Sequence, residues 1–186
     1  MRKKLFFVYC TLQLIACSSH PLKIRPPANQ HPGMRTPTLL LPEDADEHMV
    51  EAAKVFGQYA NSDEFYAYLR KNVTDLEGGN ETNVDSAIEK FRSCLDQRDS
   101  IKIVWTKYSN QNIGKVIGGW RDTYLAQNPF KELDVIERAS HWIHEISHGC
   151  GFTHIDNDIN AYPIIKRSWP YQVGSSFEEF LGEKVL

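Results

Sequence analysis

Beyond residue 17 this 186-residue chain has no apolar run long enough to cross a bilayer as a helix, which excludes a further membrane-spanning helix. Charge of one sign is not in excess either. The formal net charge is −3, and lysines and arginines are scattered except at the very start. That removes the electrostatic case for nucleic acid or an acidic membrane surface as a partner. No internal repeat is present, and methionine does not occur after position 49. What remains is the composition of a soluble globular domain, with length for one hydrophobic core and a tail.

The first residues carry more. "MRKK" is a positive n-region, and "LFFVYCTLQLIA" is an apolar stretch of signal-peptide length, too short for a permanent anchor. It ends in Leu14-Ile15-Ala16-Cys17, which resembles the bacterial lipobox, where a small residue precedes the cysteine that receives diacylglycerol. An ordinary secretory signal with an incidental cysteine is the alternative. The resemblance implies a signal peptide over 1–17 and lipidation at Cys17. With Ser18 following, it implies sorting to the outer membrane of a bacterial cell envelope, the membrane being touched through that lipid alone. An exported chain can form disulfides. Once Cys10 is removed and Cys17 modified, Cys94 and Cys150 are left, either as a bridge or as two buried thiols.

Residues 18–42 hold six of the nine prolines and show no helical or strand period, so they read as an extended tether. Residues 43–186 form the domain. Met49, Ala52, Ala53, Phe56, Tyr59 and Ala60 recur at helical spacing, "NSDE" offers caps for a second helix, and Gly78-Gly79 breaks the chain. A third helix starts near Thr82 or Asn83. Strands are expected over 100–109, 114–120 and 122–130, with a turn at residues 120–122. "ELDVIERASHWIHEISHG" returns to helical spacing and suggests a helix packed under a sheet. A closing helix is expected at "FEEFLGEKV". The class is α+β: N-terminal helices, a small mixed twisted sheet, a buried helix and a short C-terminal subdomain.

Four of the seven histidines fall within residues 141–154. His144 and His148 are four apart, so on a helix both imidazoles reach one ion, and Zn²⁺ takes such neutral nitrogen donors. Glu145 sits beside them, within reach of a water on the metal. The string continues to Gly151 and His154. A glycine there can turn the chain back so that a third histidine meets the first two, and the two added positions lower the chance expectation by about three orders of magnitude.

His144-Glu145-x-x-His148-x-x-Gly151-x-x-His154 resembles the metzincin clan of zinc endopeptidases, most specifically over 144–154 and more loosely over 100–175. The resemblance implies His144, His148 and His154 as zinc ligands and Glu145 as general base. It also implies a protein or peptide substrate bound as an extended strand along a sheet edge, for which "KVIGGW" is best suited. One feature departs from the clan: its methionine turn lies downstream of the third histidine, and here no methionine does. "SWPYQVG" (168–174) is the expected substitute, with Pro170 forcing a turn and Tyr171 facing the site. Tyr171 reads either as support for the metal or the oxyanion, or as a core or turn aromatic. His141 reads as a supporting or solvated residue, His20, His31 and His48 as surface, and Asp156 and Asp158 as partners for a ligand histidine or as loop acids. A monomer is expected. Two rival functions use the same residues: a zinc hydrolase of a non-protein or cell-wall peptide substrate, and a non-catalytic lipoprotein with structural zinc, in which Cys150 would complete a His₃Cys set.

Overall fold

The computed structural model describes residues 35–106, 114–116, 122–154 and 162–184. The signal sequence, Cys17, His20, His31, Asp156 and Asp158 lie outside these residues. Among the described residues no helix is long and apolar enough to cross a membrane.

The chain runs β1 (Thr38–Leu40), α1 (Glu47–Tyr59), α2 (Asp63–Asn72), α3 (Val84–Asp96), β2 (Ser100–Thr106), β3 (Gly114–Val116), β4 (Asp122–Ala126), α4 (Gln127–Lys131), α5 (Val135–Gly149), α6 (Tyr162–Ile165) and α7 (Trp169–Gly182). This is a mixed α+β arrangement around a small sheet ordered β1-β2-β4-β3. β1, β2 and β4 are parallel, and β3 is antiparallel to β4 at the edge. Ile101 and Ile103 alternate into the core from β2, as a half-buried strand requires.

Side-chain caps start the helices where backbone N–H groups would otherwise go unpaired. Ser62 accepts from the Phe65 N–H at 3.2 Å and Asn83 from the Ser86 N–H at 2.8 Å. At the start of α5, Asp134 accepts from Ile136 and Glu137, and Glu137 in turn accepts from the Asp134 N–H at 2.8 Å. Arg138, only 1% exposed, pairs with Asp46, the cap of α1, and donates to the carbonyls of Leu133 and Lys131. A buried guanidinium left unpaired would be costly, so this set of acceptors locks the start of α5 to the start of α1.

α5 packs against β3 and β4 as well as α1 and α7. α7 spans two environments. Its first turn lies under the histidines of α5. Farther along, Phe177 and Phe180 enter an aromatic cluster with Phe56, Tyr59 and Phe65, at ring separations of 4.8–6.5 Å.

Three expectations are corrected. Residues 38–40, read as tether, form β1, with Leu39 paired to Ile101; three residues with a parallel partner some sixty positions away leave no local period to detect. The strand expected over 122–130 stops at Ala126 and becomes α4, because Pro129 falls in a first helical turn, where its missing N–H costs nothing. Pro170 likewise does not force a turn at 168–174: it stands in the first turn of α7, so that segment is helical and the closing helix begins at Trp169 rather than Phe177. Only 114–116 of the expected 114–120 strand is described, as β3; residues 107–109 and 117–121 lie outside the described set.

Cys94 of α3 is joined to Cys150, the residue after α5, across 56 positions. A link closing a loop of that length stabilises by about 4 kcal/mol in the chain-entropy model. Guanidinium unfolding of the oxidised protein and of the Cys94→Ser variant should differ by a few kcal/mol, and reductant should shift only the former. Superimposable curves would deny the bridge any role in stability.

Candidate metal centre

α5 ends one residue after His148, and the way it ends builds the site. Gly151 has φ of +80°, a conformation that a residue with a Cβ adopts only under strain. Its N–H donates to the His148 carbonyl at 2.9 Å, and the Phe152 N–H donates to the Ser147 carbonyl at 3.2 Å. These two bonds make a Schellman reversal, which satisfies carbonyls orphaned at the helix end. Phe152 then inserts between Phe91 and Trp169, at ring separations of 6.3 and 5.4 Å, with the Lys90 ammonium over its face. The chain is thereby turned back, and His154 arrives beside the two helical imidazoles.

One ligand atom from each of His144, His148 and His154 lies within 4.8 Å of the others. The His148 Nδ1 shares a 2.9 Å hydrogen bond with the Phe152 carbonyl, which commits that nitrogen and leaves Nε2 for a cation. The His144 ring has the Pro170 carbonyl as its hydrogen-bond acceptor, and the Nδ1 of His154 is buried with no partner among the described residues. Burial, and then repulsion from His148, His141 and His154, pushes His144 down to about 3; burial also lowers His148. His144 is therefore neutral over the ordinary pH range, with a lone pair to offer. The convergence of the three rings and the buried unpaired nitrogen of His154 fit a bound cation.

Glu145 is buried, only 5% exposed. Burial raises its carboxyl to about 7, and a cation at the histidines would draw it down again. His141 lies one turn before it, with Nε2 3.7 Å from a Glu145 oxygen and its ring parallel to that of His144. Burial lowers His141 to about 4, so it is a neutral neighbour rather than a counter-ion. Tyr171 does face the histidines, from the first turn of α7: its ring is 4.7 Å from that of His144 and 5.5 Å from that of His154. His48 is exposed on α1. Cys150 is bonded to Cys94 and offers no thiolate to a metal.

Three contributors went unrecognised in the sequence. The first is α7 as the floor of the site: the Ser140 hydroxyl donates to the Gly174 carbonyl at 2.8 Å, and a Cβ on Gly174 would come within 3.2 Å of the His144 Cβ. The second is the Phe152 carbonyl, for which a signal existed, since an apolar residue just after a helix-ending glycine marks a Schellman motif. The third is the 78–80 loop. Gly79 forms an isolated antiparallel bridge with His154, and a Cβ on Gly79 would meet the Thr153 carbonyl oxygen at 2.4 Å. No local pattern announces a pairing across that many residues.

Comparison of the chain with known protein families, characterised proteins and solved structures finds no match in any of the three. The geometry must speak by itself.

Gly79→Ala should cost about 1–3 kcal/mol in denaturant unfolding, by overpacking against backbone, and should weaken zinc uptake in step. Gly57→Ala, on α1 with nothing within 4 Å of the new Cβ, should instead stabilise by about 0.5–1 kcal/mol. Equal effects from the two would mean that the close approach at Gly79 is not needed.

Proposed function

We propose that this protein is a zinc-dependent endopeptidase, anchored by a lipid at Cys17 in a bacterial cell envelope. The observation that carries this reading is the convergence of His144, His148 and His154 with a buried carboxylate, Glu145, on the same helix. Among the described residues the three histidines have no fourth protein ligand, which is the donor set of catalytic rather than structural zinc. The disulfide at Cys150 weighs against the His₃Cys alternative.

His144, His148 and His154 would hold the metal, which when bound supplies Lewis acidity at a scissile carbonyl and makes water nucleophilic near neutral pH. Glu145 takes the proton of the attacking water as the C–O bond forms, then returns it to the amine as the C–N bond breaks. Its buried setting keeps the proton in the site rather than losing it to solvent. Tyr171, whose ring lies against two of the histidines, would donate a phenol hydrogen bond to the developing oxyanion. Ser140 and Gly174 hold α7 to α5 and so fix the Tyr171 ring relative to His144.

The substrate is an extended peptide. β3 is at the sheet edge and packs against α5, so a chain added antiparallel to it would run beside the histidines. Resemblance of the 144–154 string to the metzincin signature supports the same reaction.

Glu145→Ala should retain about one zinc per chain and lose peptide turnover by about 10²–10⁴-fold, measured on a peptide library with the purified protein. Chelator should abolish cleavage by the wild type. A Glu145→Ala protein that cleaves as well as the wild type would remove this residue from the chemistry. Wild type that binds zinc and leaves every peptide intact would remove endopeptidase activity altogether.

A further inference from the structure

Residues 149–154, which deliver the third imidazole, are gripped by one upstream stretch, 79–98. Arg98 donates to the Gly149 carbonyl at 2.6 Å, Cys94 is bonded to Cys150, and Lys90 donates to the Gly151 carbonyl at 3.1 Å. These three act at or before the bend. Asn80 is different: its Nδ2 donates to the Gly151 carbonyl at 2.7 Å and its Oδ1 accepts from the Thr153 N–H at 2.9 Å. One planar amide, carrying both donor and acceptor, thus spans the bend from the glycine to the residue before His154. Its neighbour Gly79 makes the backbone bridge to His154 itself.

We propose that Asn80 is a positioning residue for the metal centre, holding His154 in the coordination sphere by clamping both ends of its loop. This rests on the histidines binding metal, as argued above. Asn80 is exposed, so its two bonds compete with water and add little to folding stability. The disulfide, Phe152 and the Schellman bonds hold the reversal in place without it. What they leave unfixed is the Thr153 amide, one residue before the ligand. A ligand must be held within about 0.5 Å of its productive position, so losing that constraint weakens the site before it weakens the fold.

The test compares zinc affinity, read by competition with a chromophoric chelator, with the thermal midpoint of the same protein stripped of metal. Asn80→Ala should bind zinc about ten- to a hundredfold more weakly than the wild type, with the midpoint of the stripped protein unchanged. Asn80→Asp keeps the acceptor for Thr153 and loses the donor to Gly151, so its affinity should fall in between. Asn72→Ala removes a comparable exposed amide bond on α2 and should leave affinity unchanged. Wild-type affinity in Asn80→Ala overturns the assignment, and so does a loss of affinity matched by a lowered midpoint. If Asn80→Ala does not fold, Asn80→Asp carries the comparison; failure of both to fold assigns Asn80 to the fold and overturns it too. A wild type that takes up no zinc removes the histidine site itself, a result separate from any of these.

Discussion

The abrupt end of α5 is the constraint from which the rest of the site follows. A helix that ran on past His148 would carry residue 154 away from the two helical imidazoles, since six more residues advance it by about 9 Å. Gly151 stops it with a positive φ, and the two bonds of the reversal satisfy the carbonyls that stopping exposes. The same turn performs a second task. It delivers the Phe152 carbonyl to the Nδ1 of His148, so the geometry that recruits one ligand also orients another. Cationic groups of Lys90 and Arg98 on the carbonyls of Gly151 and Gly149 lie at the negative end of the helix dipole and reinforce the stop.

Around this turn the fold reads as a vice. α7 presses from one side, through Gly174 and the Pro170 carbonyl, and its far half is fixed by the aromatic cluster with α1 and α2. α3 and the 78–80 loop press from the other, through the disulfide, Asn80 and Gly79. The sheet contributes β3 beside α5. The histidines therefore sit where three layers meet, and burial lowers His144 and His148, which favours their neutral, cation-binding form.

Much of the site was legible in sequence because it is local. A four-residue spacing on a helix and a glycine that permits reversal are patterns of neighbours along the chain, so His144, His148 and His154 could be grouped before any coordinates. The helices over Met49, Phe65 and Phe91 were legible for the same reason, as were a cap within "NSDE" and a helix start near Asn83. Legibility failed in two ways. Pro129 was placed within a strand and Pro170 was read as forcing a turn, although each stands in a first helical turn, where proline is well tolerated. Contacts remote in sequence left no trace either: β1 pairs with β2, and Gly79 with His154, through backbone groups that any residue type supplies.

The most direct measurement is X-ray absorption at the zinc edge of purified, zinc-loaded protein. Scattering from three imidazoles with a remaining light-atom donor and no sulfur is the predicted result. Sulfur in the shell, only two imidazoles, or protein that accepts no zinc would contradict the convergence of His144, His148 and His154 on one ion.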